Sequence, residues 1–134
     1  MAGCYTGPDA DHFVAIVEEL DVPADWQLAK SVVRGPDEDD PCDPFFTITC
    51  PGAVRSFLVD GDPADAYAQA KEVVTAAGFV ITEEFREDCS GASCSFFSSR
   101  AGDQLSVWVY HSGAAANLGD DLRGPAVLIS AHRD

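Results

Sequence analysis

The chain has 134 residues, 46% of them hydrophobic, which suits one folded domain with its own core. Acidic residues outnumber basic ones by 23 to 8, and the formal net charge is −15. Nucleic acids and anionic lipid surfaces repel such a chain, so the composition argues against direct binding to either. No apolar run reaches the roughly 18 residues that a membrane-spanning helix needs.

The first predicted element is a helix in the segment PDADHFVAIVEELDVP. Its apolar residues recur at helical spacing, Asp9 or Asp11 can cap its start, and a proline ends it. The apolar positions are Phe13, Ile16, Val17 and Leu20. A strand is expected next, because Trp26 and Leu28 alternate with polar residues in a segment that runs to about Arg34.

A second helix is the clearest prediction. The loop GPDEDDPCDP and the extended segment FFTITCPGAVRSFLV precede it, and a bulge or corner is expected at Pro51 and Gly52. Asp62 can cap the helix, Pro63 suits its first position, and Gly78 closes it. Its apolar face consists of Ala66, Ala70, Val73, Val74 and Ala77.

The remaining third of the chain predicts strands. FVITEEFRE is a strand, CSGASC a stapled turn, SFFSSRAGDQLSVWVYHS a hairpin and PAVLISAH the last strand, after a loop over 113–124. The order α-β-β-α-β-β-β-β has too few helices for a parallel sheet. We therefore predict an α+β fold in which two helices pack on one face of an antiparallel or mixed sheet. Residues 1–8 would be an N-terminal tail or anchor, and residues 9–134 a single domain.

The five cysteines are Cys4, Cys42, Cys50, Cys89 and Cys94, and the last four form two pairs that are close in sequence. Zinc sites use pairs spaced by about two to four residues, and CDPFFTITC is too wide for this. We predict local disulfides between Cys42 and Cys50 and between Cys89 and Cys94. Other pairings, or free thiols in a cytosolic protein, are the alternatives.

Cys4 stands apart from these pairs and directly follows Ala2 and Gly3. Disulfides form in oxidising compartments, so we expect an exported protein. Ala2-Gly3-Cys4 resembles the end of a bacterial lipobox of the Leu-Ala-Gly-Cys type, and the lysine-poor composition resembles secreted lipoproteins of actinobacteria. The resemblance implies that Met1 replaces a signal peptide and that acylated Cys4 is the only contact with the membrane. A free thiol or an intermolecular bridge at Cys4 is the alternative.

No catalytic motif is found in the chain. His12, His111 and His132 lie in no recognisable catalytic pattern, and the nucleophile-elbow, zinc-protease and dinucleotide motifs are absent. The segment DGDPAD lacks the calcium-loop pattern, and helix capping explains its aspartates. We therefore predict no catalytic residues, no metal and no cofactor.

Trp108 and Tyr110 are the candidate partner-binding residues. They alternate along one strand with Leu105, Val107 and Val109. If helices cover the aliphatic residues, the aromatic pair emerges on the opposite face, where such side chains often anchor a partner or a sugar ring. A loop or a second subunit over that face is the alternative.

The sequence favours a non-enzymatic extracytoplasmic lipoprotein domain that binds a protein or a cell-envelope component. An acidic inhibitor or immunity-type protein that blocks a basic enzyme surface is a second interpretation. A small hydrolase with scattered catalytic residues is a third.

Overall fold

The computed structural model describes residues 8–34, 51–85, 89, 93–116, 118–119 and 122–133. These residues form two helices and one six-stranded antiparallel sheet, which confirms the predicted α+β class. The elements are α1 (Ala10–Glu19), β1 (Gln27–Arg34), β2 (Gly52–Leu58), α2 (Pro63–Ala76), β3 (Val80–Phe85), β4 (Ser93–Arg100), β5 (Asp103–Tyr110) and β6 (Ala126–Arg133). The strand order in the sheet is β1-β2-β6-β5-β4-β3.

Both helices begin at the predicted capping residues. The side chain of Asp9 accepts a hydrogen bond from the backbone N–H of His12 at 3.4 Å. That of Asp62 accepts one from the backbone N–H of Ala64 at 3.2 Å, with Pro63 in the first turn of α2. Gly78 follows α2 with φ +92°, a left-handed backbone conformation that residues with a side chain rarely adopt. Among the described residues, no helix is long and apolar enough to cross a membrane.

The alternation of side chains divides the sheet into two faces. On the helix face, Arg55 pairs with Glu18 of α1, and the ring of Phe96 lies 5.5 Å from that of Tyr67 in α2. The central strands give this face Leu105, Val107, Val109, Val127, Ile129 and Ala131, each at most 1% exposed. They give the opposite face, which we call the open face, Gln104, Ser106, Trp108, Tyr110, Ala126, Leu128, Ser130 and His132.

The core lies between the helix face and the two helices. Phe13 of α1 and Phe96 of β4 are both fully buried there. Trp26 precedes β1 and joins this core, because its ring lies 5.7 Å from that of Phe57 and its Nε1 donates to Oε1 of Gln69 at 3.3 Å. Among the described residues, both helices thus cover the helix face, and no helix covers the open face.

A bend is present at Pro51, one of the two residues at which a bulge or corner was expected. β2 begins at Gly52, which pairs in regular register with Arg34 of β1 and His132 of β6. A Cβ atom at Gly52 would lie 2.9 Å from the carbonyl oxygen of Ala131, so the glycine permits a close approach of strands instead of a bulge. The acidic loop and the segment up to residue 50 lie outside the described residues.

Bulges occur instead in the two edge strands. The register shifts after Leu28 in β1 and after Ile81 in β3. Such irregularities hinder edge-to-edge pairing of sheets. The predicted hairpin of β4 and β5 turns through Ala101 and Gly102, whose φ values of 51° and 88° match the turn type that fits the twist of two antiparallel strands.

The predicted disulfide between Cys89 and Cys94 is present. Cys94 is buried in the core, and Cys89 is half-buried. Cys42 and Cys50 lie outside the described residues, so their disulfide stays a prediction. The same holds for Cys4 and its lipid.

Candidate functional site

A shallow pocket of about 310 Å³ lies on the open face. Four neighbouring strands line it, with Arg34 from β1, Val54 from β2, Leu128 and Ser130 from β6, and Trp108 and Tyr110 from β5. Strands that are distant in the sequence are adjacent here because β2 pairs with β6 and β6 pairs with β5. The pocket therefore combines an apolar floor with two aromatic rings, one guanidinium and one hydroxyl.

The position of Arg34 follows from the absence of a side chain at its neighbour. Arg34 pairs with Gly52 across β1 and β2, so no side chain on β2 separates it from β6. Its Nη2 donates to Oγ of Ser130 at 3.4 Å. Trp108 lies opposite Leu128 in the next strand pair, which brings the indole ring to the same pocket.

An aromatic row leads from the pocket to the edge of the sheet. The ring of Trp108 lies 6.3 Å from that of Phe97, and Phe97 lies 5.4 Å from Phe85, both pairs edge to face. Phe85 is 44% exposed at the edge, whereas Trp108 and Tyr110 are half-buried. The predicted pair is thus on the open face, and its role in binding stays a prediction.

The open face departs from the acidic character of the chain. Apart from tyrosine, the ionisable residues on this face of the described strands are Lys30, Arg34, Glu83 and His132. The only carboxylate among them, Glu83, lies on the far edge strand β3. Within the described strands, this face of a chain with 23 acidic and 8 basic residues therefore carries more positive than negative charge.

The cations elsewhere in the described strands and helices are neutralised by the chain itself. The ion pairs are Arg55 with Glu18 at 3.6 Å, Lys71 with Glu84 at 2.7 Å, Arg100 with Glu19 at 2.6 Å and Arg133 with Asp103 at 2.8 Å. Lys30, Arg34 and Arg123 have no ion pair within the described part of the chain. Two of these three, Lys30 and Arg34, lie on the open face.

Glu84 belongs to one of these pairs and accepts a second hydrogen bond besides that of Lys71. Lys71 donates a hydrogen bond to the carboxylate, and the hydroxyl of Tyr67 donates a second one at 2.8 Å. These bonds, with that of Lys71 the larger effect, hold the pKa of Glu84 below its usual value, although partial burial opposes the shift. The pair fastens α2 to the edge strand β3.

Asp103 is the centre of a second polar cluster on the helix side. Its side chain is 7% exposed, and Nε2 of His12 lies 3.0 Å from both carboxylate oxygens. Arg133 donates to Oδ1 from Nε at 3.2 Å and from Nη2 at 2.8 Å. Because an ionised carboxylate only accepts hydrogen bonds, Nε2 of His12 carries the proton. The cluster fastens α1 to the start of β5 and has a structural role.

A Ser–His contact on the open face bears on the hydrolase interpretation. Oγ of Ser106 lies 2.9 Å from Nε2 of His132, a distance suited to activation of a nucleophile. Ser106 is only 3% exposed, so a substrate cannot reach its hydroxyl. Asp103 does not complete a triad, because its carboxylate lies on the helix side and binds His12 and Arg133. The geometry therefore favours a structural hydrogen bond over catalysis.

The pocket offers binding groups, and sequence reasoning identified only part of them. It named Trp108 and Tyr110 but missed Arg34 and Ser130, although the alternation of Lys30 and Arg34 in KSVVR was a usable signal. Within the described ranges, no group of three or more His, Cys, Asp or Glu side chains could hold a metal ion. Comparison with known proteins gave no match to a family model, to a curated protein or to a solved structure.

Proposed function

We propose that this protein is a binding domain and that its open face holds a partner at the pocket around Trp108 and Tyr110. The observation that carries the proposal is the position of these two half-buried rings on a face that no described helix covers. Trp, Tyr and Arg are the residue types that dominate binding energy at protein interfaces, and Arg34 brings the third type to the same pocket.

The proposed setting is the bacterial cell envelope, outside the cytoplasm. The disulfide between Cys89 and Cys94 is compatible with an oxidising compartment. The resemblance of Ala2-Gly3-Cys4 to a lipobox supports a lipid anchor at Cys4, and the net charge of −15 disfavours any other contact with an anionic membrane. The partner would be a protein or another component of the envelope.

An acidic inhibitor of a basic enzyme is the second candidate, and the net charge of −15 favours it. Such an inhibitor would bind through its exposed carboxylates, and most of those among the described residues lie away from the open face. Asp65 and Glu72 on α2 are two of them. Trp108→Ala would leave such an interaction intact, so one variant separates the two candidates.

Capture from a bacterial envelope extract tests the proposed function. The immobilised full chain, Trp108→Ala and Leu28→Ala are compared by quantitative mass spectrometry. Leu28 is a matched control because it is 49% exposed on β1 but pairs with Phe57 on the helix side of the sheet. We expect Trp108→Ala to lose its partner by a factor of ten or more, since anchor residues contribute about 2 kcal/mol or more. Equal retention by Trp108→Ala and wild type contradicts the proposal.

Metabolic labelling with a fatty acid tests the anchor. With a lipoprotein signal sequence placed before Ala2, the wild type should incorporate the label and partition with membranes. Cys4→Ser should do neither, because the acylated sulfur is removed. Labelling that persists in Cys4→Ser contradicts the lipobox resemblance and leaves the proposed binding face unaffected.

A further inference from the structure

We propose that the pocket on the open face binds a small ligand that carries one carboxylate on an aromatic or aliphatic body. Arg34 would bind the carboxylate, and Trp108 and Tyr110 would contact the apolar body. This inference rests on the proposed function, because it names the chemistry that the same pocket recognises.

Arg34 has hydrogen-bond donors that the described residues leave unused. A guanidinium has five N–H donors in a planar fork, and it matches a carboxylate with two parallel hydrogen bonds. Within the described residues, Arg34 makes one long hydrogen bond of 3.4 Å to Ser130 and no ion pair. Ser130 is only 3% exposed, so its hydroxyl accepts this bond and orients the guanidinium instead of contacting the ligand.

Arg34 differs in its ion pairing from the other arginines of the described strands. Each arginine on the helix side of the described strands has a carboxylate partner from the chain itself. The pairs are Arg55 with Glu18, Arg100 with Glu19 and Arg133 with Asp103. No carboxylate of the described residues pairs with the pocket arginine. A ligand carboxylate would complement the donors of Arg34 that the described residues leave unpaired.

The size and lining of the pocket suit a small ligand. A volume of about 310 Å³ is at the lower end of the range for small-molecule sites, about 300–1,000 Å³. Val54 and Leu128 supply an apolar floor, and Trp108 and Tyr110 supply ring faces. These groups suit a compact apolar body and leave no further charge to satisfy.

The charge of the whole chain affects which anions can bind. A net charge of −15 repels a polyanion at long range, and this disfavours nucleic acid and an anionic membrane as occupants. Among anionic ligands, one with a single carboxylate is repelled less than one with several negative charges. Lys30 lies on the same face and adds positive potential without lining the pocket.

The test uses two probes and two reporters in the full chain. The probes are 3-phenylpropionate and its uncharged amide, 3-phenylpropionamide, in a buffer without carboxylates. The chain has two tryptophans, so NMR shows two indole N–H signals. Trp108 lines the pocket, whereas Trp26 is 6% exposed on the helix side and serves as an internal control for fold and specificity. The acid should shift the Trp108 signal saturably at millimolar concentration and leave that of Trp26 in place.

Two variants then assign the charge. Arg34→Gln should weaken binding of the acid about tenfold, because it removes a charge-assisted, two-pronged contact. Lys30→Gln removes the same charge from the same face and should change the affinity less than about twofold, since that charge is exposed and screened. The amide should bind wild type about tenfold more weakly than the acid, and Arg34→Gln should not weaken the amide further.

Three results overturn the inference. They are equal affinities for acid and amide, unchanged affinity for the acid in Arg34→Gln, and the absence of a saturable shift of the Trp108 signal. Each leaves the proposed function standing if capture of an envelope partner still depends on Trp108. Conversely, a partner that binds Trp108→Ala as well as wild type contradicts the proposed function, whatever the probes show.

Discussion

The buried carboxylate of Asp103 should contribute measurably to stability, and Asp103→Asn tests this. The substitution removes a charge that three N–H groups of His12 and Arg133 contact at 2.8–3.2 Å. Breaking a fully buried ion pair costs about 3–5 kcal/mol. The side chains of Arg133 and His12 are 31% and 39% exposed and can rehydrate, so we expect a loss of about 2 kcal/mol.

Urea unfolding at neutral pH measures this loss, with Asp21→Asn as the matched control. Asp21 is an exposed aspartate just after α1 and should contribute less than about 0.5 kcal/mol. Arg133→Gln added to Asp103→Asn should cost little more than the single substitution, since the two residues act as a unit. A loss in Asp103→Asn no larger than that in Asp21→Asn would refute the structural role of the cluster.

Two further predictions concern the faces of the sheet and the edge strand β3. Phe96→Ala should lower the free energy of unfolding by about 4 kcal/mol, because Phe96 is fully buried under α2. Phe97→Ala should lower it by about 2 kcal/mol, because Phe97 is half-buried on the open face. Equal losses in urea unfolding contradict the assignment of faces. The pKa of Glu84 is depressed in the folded state, so its ion pair with Lys71 stabilises above the usual value of 4.5 and loses this effect as the pH falls through the folded pKa. Glu84→Gln should therefore be less stable than wild type by less than about 1 kcal/mol at pH near 7 and equally stable well below the folded pKa, and a difference that persists in acid contradicts this linkage.

Local signals in the sequence predicted the elements well. Caps at Asp9 and Asp62, a glycine after α2 and the alternation of faces along β5 and β6 are short-range patterns, and each is present in the structure. The spacing of Cys89 and Cys94 likewise favoured the disulfide that is present. These features depend on residues fewer than about ten positions apart, where backbone geometry limits the alternatives.

Contacts between distant segments could not be predicted in this way. His12 meets Asp103 across a separation of 91 residues, and Arg34 meets Ser130 across 96. Both contacts depend on the strand order, in which β6 lies between β2 and β5. Local patterns of polarity do not determine that order, so the sequence alone located the aromatic half of the pocket and not its charged half.

The most direct test of a binding site on the open face is the stability of Trp108→Ala in urea. Trp108 is half-buried, with Phe97 and Leu128 as neighbours on that face. We predict that the variant folds and that its free energy of unfolding falls by about 1–2 kcal/mol. The loss is this small because the indole ring lines an open pocket and is not part of a sealed core. A loss of about 3–5 kcal/mol, as for a fully buried tryptophan, would place Trp108 in a covered core and contradict the proposed site.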